Sequence, residues 1–217
     1  MFVGHYAAGL VLKKFDKRVS LGLLFLAVQL VDIIFFPLAV LGIEKLNVVA
    51  NFTESTHFEL VYYPFTHSLL SAFLWAGLIY VVFRFVPPRL KSVATLLGIA
   101  VFSHWVFDLI VHTPDLPLWS DTSPKLGFGL WNSAIATYAT EAALLVGGLF
   151  VYLRSTKAIT GAGKYAMVIF VLFLLLANVI NIFGPFSEHS KFELMVQALV
   201  LYFLFAGIAH WLDKKRA

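Results

Sequence analysis

Apolar residues run along the chain in six long blocks, at about 19–43, 65–86, 91–112, 130–153, 164–184 and 192–213, separated by short polar or proline-containing breaks. A helix needs about 20 apolar residues to cross the ~30 Å hydrocarbon core of a bilayer, and each block has that length. The pattern predicts an all-α polytopic membrane protein with six transmembrane helices, built as a single domain over residues 1–217. The breakers agree with these limits: Pro87-Pro88 closes the second block, Pro114 and Pro117 the third, and Gly184-Pro185 the fifth. A further apolar stretch, "FVGHYAAGLVL" at 2–12, is too short to cross and predicts an N-terminal half-helix that dips into the membrane or lies at its interface. Its positive charges, Lys13, Lys14, Lys17 and Arg18, follow the apolar run, the reverse of a secretory signal.

Composition sharpens this picture. Hydrophobic residues make up 60% of the chain and charged residues 13%, with a mean hydropathy of +0.88, which is outside the range of soluble globular domains. The absence of cysteine excludes disulfides and thiolate metal sites, so any metal must be held by imidazole, carboxylate or water. The basic residues form short clusters between apolar blocks and no continuous stripe, which argues against a nucleic-acid partner despite a pI of about 9.3. All lysines and arginines except Lys45, Lys125 and Lys191 fall in the termini and alternate connections. The other connections collect Glu44, Glu54, Glu59, Asp115, Asp121, Glu188 and Glu193. The positive-inside rule then puts both termini in the cytoplasm of a cell with this protein in its inner (plasma) membrane, and turns the connections 44–64 and 113–130 outward.

Ionisable groups inside the apolar blocks carry the candidate chemistry. Each costs on the order of 2.5–3.5 kcal/mol to insert, so each asks for a function. They are Asp32, His67, His104, Asp108 and Glu141, with His112 near an outer end. Counting ~1.5 Å per residue from Arg18, Lys91 and Arg154 places Asp32, His104 and Glu141 in one layer, ~20 Å deep, with His67 and Asp108 a turn further. In "SHWVFDLIVH", His104, Asp108 and His112 are spaced i, i+4, i+8 and share one helix face. Two acids and two imidazoles in one layer suit a divalent cation of the zinc, manganese or iron type. The competing reading is that these groups hydrogen-bond one another to fix helix packing. Glu141 is either a general base or a protonated carboxyl bonded to Asn178 or Thr140. Ser68 and Ser71 read more readily as helix-interface hydroxyls than as nucleophiles. His57 and His189 fall in outward loops, and His210 lies beside Trp211 at an interface. The connection 113–132 is either a lid over an outward pocket or a pair of tryptophan anchors, Trp119 and Trp131.

At Gly4-His5, Asp32, Thr66-His67-Ser68 and His104-x3-Asp108 the chain resembles a bacterial inner-membrane family described as metal-dependent hydrolases, some of them called LexA-binding. The likeness covers about the first 115 residues. The segment "VHTPDLPLW" resembles that of a subgroup with the same architecture. More loosely, the order of histidines and aspartates is similar to that of the helical zinc-dependent phospholipase C and P1-nuclease class. The chain departs from the family in having "YYPF" where an arginine-rich lead-in precedes "THS", and a lone Asp32 where an aspartate pair is usual. The resemblance implies a buried divalent metal, zinc by preference, held by His67, His104, Asp108 and Asp32 with His5, and hydrolysis of an ester or phosphoester of a lipid-like or amphiphilic substrate. In that scheme Glu141 or Asp32 takes the proton and His112 or Asp115 guides the leaving group. The rival expectation from the same residues is a proton- or ion-coupled transporter, and a second is a histidine-ligated haem or quinone protein.

Overall fold

The computed structural model describes residues 1–85 and 91–217, so the expected stop at Pro87-Pro88 lies outside the described residues. A 3-10 turn, Val3–His5, leads into helix α1 (Tyr6–Leu12), followed by α2 (Leu21–Val28) and α3 (Leu30–Val40). A hairpin of β1 (Lys45–Val48) and β2 (Phe58–Tyr62) precedes the one-turn helix α4 (Pro64–His67), then α5 (Leu69–Arg84) and α6 (Lys91–Val111). A second short hairpin, β3 (Leu116–Pro117) with β4 (Lys125–Leu126), precedes α7 (Ala134–Ser155), α8 (Gly161–Phe183) and α9 (Lys191–Asp213).

Among the described residues four helices are long and apolar enough to cross a membrane: α6 from Val93, α7, α8 and α9. The pair α2 and α3 makes a fifth if counted as one span bent by 46°. The expectation of six spans is therefore corrected in two places. The block at 19–43 breaks at Gln29, whose backbone (φ −103°, ψ 3°) leaves the helical region. The block at 65–86 is interrupted at Ser68, which is extended (φ −71°, ψ 155°) and caps the next helix by accepting a hydrogen bond from the Ser71 N–H. That leaves α5 with 16 residues, about 24 Å of helix, short of the ~30 Å hydrocarbon core. The all-helical expectation also gains two small hairpins, both in the connections 44–64 and 113–130.

Hydroxyl caps start the long helices where polar loops end. Ser133, Thr160 and Ser190 accept hydrogen bonds from the N–H three residues on, and Ser190 with Glu193 forms a reciprocal capping box. Leu74, Ile169, Phe173, Leu176 and Phe203 are exposed on the outside of the bundle. Apolar side chains facing outward from long apolar helices suggest a membrane protein.

The N-terminal half-helix neither caps the bundle nor lies along its surface: it is threaded into it. Val3, Tyr6 and Leu10 are fully buried, packed with Leu24, Phe25, Leu97, Leu145 and Phe205 in one continuous core. The insertion depends on close approach to α7, because a Cβ at Gly148 would come within 2.9 Å of the Ala7 backbone. At the end of the bundle away from the hairpins, Lys13 is ion-paired to Asp213 at 2.7 Å, and Tyr152 also donates to Asp213. These contacts hold the foot of α1 against α7 and α9. They fix the depth at which its other end, carrying His5, enters the core.

Candidate metal centre

Helix α6 and its continuation present His104, Asp108 and His112 on one face; all three are buried, and the His112 N–H bonds the Asp108 carbonyl at 2.8 Å in helical fashion. The interruption at Ser68 turns the single-turn α4 so that His67 faces them. The bend at Gln29 starts a new helix whose first turn holds Asp32. His5 arrives from the N-terminal turn and stacks on His104 with ring centroids 3.8 Å apart and planes 5° from parallel.

His104 Nε2 lies 3.1 Å from Asp108 Oδ2 and 3.6 Å from Asp32 Oδ1. His67 Nε2 lies 3.3 Å from Asp32 Oδ1 and 3.9 Å from Asp108 Oδ2. His5 Nε2 is 3.2 Å, and His112 Nε2 3.6 Å, from Asp108 Oδ1. Four ligands ~2.0–2.1 Å from a tetrahedral cation stand ~3.3–3.4 Å from one another, within the observed 3.1–3.9 Å. Two groups, His5 with His104 and Asp108, and Asp32 with His67 and His104, have ligand atoms within 4.8 Å of one another, so buried His/Asp groups here could hold a metal ion.

Three imidazoles are also turned the way a cation needs them. His104 Nδ1 is 2.7 Å from the Val28 carbonyl. A carbonyl only accepts, so Nδ1 carries a proton and Nε2 is turned toward two carboxylates. The Thr66 hydroxyl donates to Glu44 Oε2 at 2.7 Å, so its oxygen must accept the Nδ1 proton of His67, also at 2.7 Å. His112 Nδ1 is 2.8 Å from Asp115 Oδ1, which also accepts from the Tyr63 hydroxyl. In each ring the outward nitrogen is tied and the inward one is left for a ligand. Among the described residues the buried His104 Nε2 and both His5 nitrogens have no hydrogen-bond partner. A proton on His104 Nε2 would not meet either carboxylate in hydrogen-bonding geometry, and without one, three electron-rich atoms face each other. A cation between them resolves that conflict. The cluster has the donor set and spacing with which a metal ion could be held.

Other expected site residues are placed as follows. Asp32 Oδ2 accepts from the Tyr202 hydroxyl at 3.0 Å, which holds its other oxygen toward the imidazoles. Glu141 is buried beside the cluster and accepts the Phe2 and Gly4 N–H groups at 3.1 and 3.0 Å, tying the N-terminal turn to α7. Its expected partners Asn178 and Thr140 are not the ones it uses, and the Asn178 side chain has no hydrogen bond among the described residues. The Met1 amino group ion-pairs with Asp108 Oδ1 at 2.7 Å. Ser68 and Ser71 serve the cap of α5. Trp131 is buried with its ring 3.9 Å from that of His112, whereas Trp119 is exposed.

Two groups escaped the sequence reading. Glu44, completely buried, looked like one of several outward acids; it accepts from the N–H of Phe65 and Thr66 and from the Thr66 hydroxyl. Burial pushes its carboxyl above the usual range, against the opposing hydrogen bonds of Thr66. The Val28 carbonyl is freed for His104 beside the helix break at Gln29, which no residue type announces.

Asp115 shows the opposite balance. Burial disfavours its ionised form, but the hydrogen bonds from His112, Tyr63 and Thr113 outweigh it and hold the carboxyl below the usual carboxylate range. A depressed folded value contributes stability that is complete above the unfolded pKa, ~4, and is lost as pH falls through the folded value. Asp115→Asn should therefore lower thermal stability at neutral pH and flatten its decline below pH ~4, read from melting temperatures across pH.

A cavity of about 340 Å³ opens from this cluster toward the hairpin end of the bundle. Asp32, His67, Asp108, His112 and Glu141 lie along it, Phe35, Phe36 and Leu201 form part of its walls, and His57 and Phe186 stand at its mouth. No family model, curated protein or solved structure matches the chain.

Proposed function

We propose that the protein is a membrane-embedded, zinc-dependent hydrolase of an amphiphilic substrate, in line with its resemblance to inner-membrane metal-dependent hydrolases. The observation that carries this reading is the set of three imidazoles whose tied Nδ1 atoms turn Nε2 toward the buried Asp108 and the part-buried Asp32 at the foot of an open cavity. His67, His104, Asp108 and Asp32 would hold the cation, with His5 at its flank. A bound zinc supplies Lewis acidity, polarising an ester and making water a nucleophile near neutral pH.

The chain's own groups do the rest. Glu141 stands beside the cluster but outside the proposed ligand set, and Oε1 has capacity left after its bond with Phe2; it accepts the proton of the attacking water. His112, held by Asp115 and packed on Trp131, delivers a proton to the leaving group from the cavity side. The apolar walls exclude bulk water around the reacting group. Both termini face the cytoplasm of the inner membrane in this reading, and the substrate enters from the opposite leaflet or the space outside it.

A permease built on the same residues is less well supported, because Tyr6, Leu24, Phe25 and Leu97 close the core on the other side of the cluster. Glu141→Gln separates chemistry from binding. Glutamine still accepts the backbone N–H groups, so metal content should stay unchanged while hydrolysis falls by about 10²–10⁴. Unaltered turnover in E141Q would remove Glu141 from the mechanism, and stoichiometric transport without hydrolysis would replace the hydrolase reading.

A further inference from the structure

Apart from Tyr202, the ionisable side chains along the cavity above the cluster are acids and histidines. Its inner end carries three carboxylates, Asp32, Asp108 and Glu141, and among the described residues lining it there is no lysine or arginine. The formal cation that does reach it, the Met1 amino group, is already paired with Asp108. At the mouth, His57 Nδ1 accepts a hydrogen bond from the Asn51 N–H. His189 stands next in sequence to Glu188. Sites that take phosphoryl groups ordinarily surround them with arginine, lysine or helix N-termini, and the stretch before Thr66, Tyr62-Tyr63-Pro64-Phe65, holds no basic residue.

The walls point the same way. Phe35, Phe36, Phe58, Leu194, Ala198 and Leu201 line the passage from mouth to cluster, and at about 340 Å³ it falls at the small end of ligand pockets. That suits one hydrocarbon chain and a compact polar group.

We infer that the cavity receives a neutral, single-chain amphiphile, a carboxylic ester or amide, and turns away phosphorylated ones. This deepens the hydrolase reading and rests on it for the reaction. One water is consumed: its oxygen forms the new bond to the acyl carbon, the acyl–oxygen or acyl–nitrogen bond breaks, one of its protons goes to the leaving alcohol or amine, and the acid is released as a carboxylate, its second proton passing to solvent or to the freed amine. The hydrocarbon chain lies between α3 and α9, and the carbonyl reaches the cluster beside His67.

The test uses the full chain in lipid nanodiscs with zinc added, titrated calorimetrically with monooctanoylglycerol and with the same molecule phosphorylated on its glycerol. Measuring in E141Q as well reads binding without turnover. The neutral compound should bind at least ten times more tightly than its phosphorylated counterpart. Ala198→Trp, which fills the wall one helical turn before Tyr202 and touches none of the proposed ligands, should weaken the neutral compound at least tenfold and leave zinc content unchanged. Equal or tighter binding of the phosphorylated compound overturns the inference, as does failure of both to bind the wild-type protein. If the neutral compound binds with the expected preference but the zinc-loaded wild type never releases octanoate, the hydrolase reading fails and the binding preference stands.

Discussion

Asp108→Asn is expected to leave the purified protein without stoichiometric metal. The substitution keeps size and shape, so α6 should stay packed, but it removes the carboxylate whose two oxygens face His5, His67, His104 and His112 at 3.2, 3.9, 3.1 and 3.6 Å. Structural zinc sites with four protein ligands have apparent binding free energies of ~10–16 kcal/mol, so one ligand accounts for ~2.5–4 kcal/mol, about fiftyfold or more in affinity. An amide oxygen is a poorer ligand than a carboxylate, and the lost negative charge leaves the cation less compensated in a medium that hardly screens it. Competition with a chromophoric chelator reads the affinity directly. The far-ultraviolet circular dichroism of the variant should match wild type, which separates loss of metal from loss of fold.

The second large effect is expected at a distance from the cluster. Glu44→Gln and Thr66→Val each break the chain of hydrogen bonds from Glu44 through the Thr66 hydroxyl to His67 Nδ1. Groups that orient a ligating histidine in this way are worth ~10–100-fold in metal affinity. Because the two residues act through one route, the double substitution should cost about as much as either single one, a coupling that a double-mutant cycle reads out. Additive losses would mean that Glu44 acts through its bonds to the Phe65 and Thr66 N–H groups, holding α4 in place, and not through the imidazole. A tenfold loss at either position with unchanged melting temperature is the expected result for a positioning role.

The chemistry-bearing residues were more legible in the sequence than the path of the backbone that joins them. His104, Asp108 and His112 share a face because the helical period alone puts them there, and α6 is one unbroken helix as its apolar run implies. Counting along helices grouped Asp32 and His67 with His104 and Asp108, and the four lie side by side, yet the helices they sit on are not the ones the hydropathy blocks describe. An average over about twenty residues cannot register a one-residue departure such as Gln29, and the residue that would announce a kink, Pro37, lies eight positions on, inside α3. The break at Ser68 follows from a cap, a local event inside an apolar stretch. It gives His67 a turn of its own, and a straight span through that point would not present the imidazole to the same neighbours.

The supporting shell was hidden for a different reason. Glu44 and Thr66 are 22 residues apart in sequence and meet only because the β1–β2 hairpin returns the chain beside the end of α3. An acid in a polar loop is unremarkable by composition, and its complete burial is a property of the tertiary fold. The half-helix at the N-terminus has the same history. Its apolar residues established that it would be buried, while its threading between α2, α6 and α7 depends on the close backbone contact at Gly148, which no periodicity encodes.

Elemental analysis of the purified chain, with wild type and His104→Ala prepared side by side and dialysed against zinc-containing and then metal-free buffer, tests the convergence of these side chains on a cation most directly. The account predicts at least one tightly held divalent ion per wild-type chain and its loss in the variant. A wild-type protein that is folded, yet retains no metal after that treatment, would contradict it.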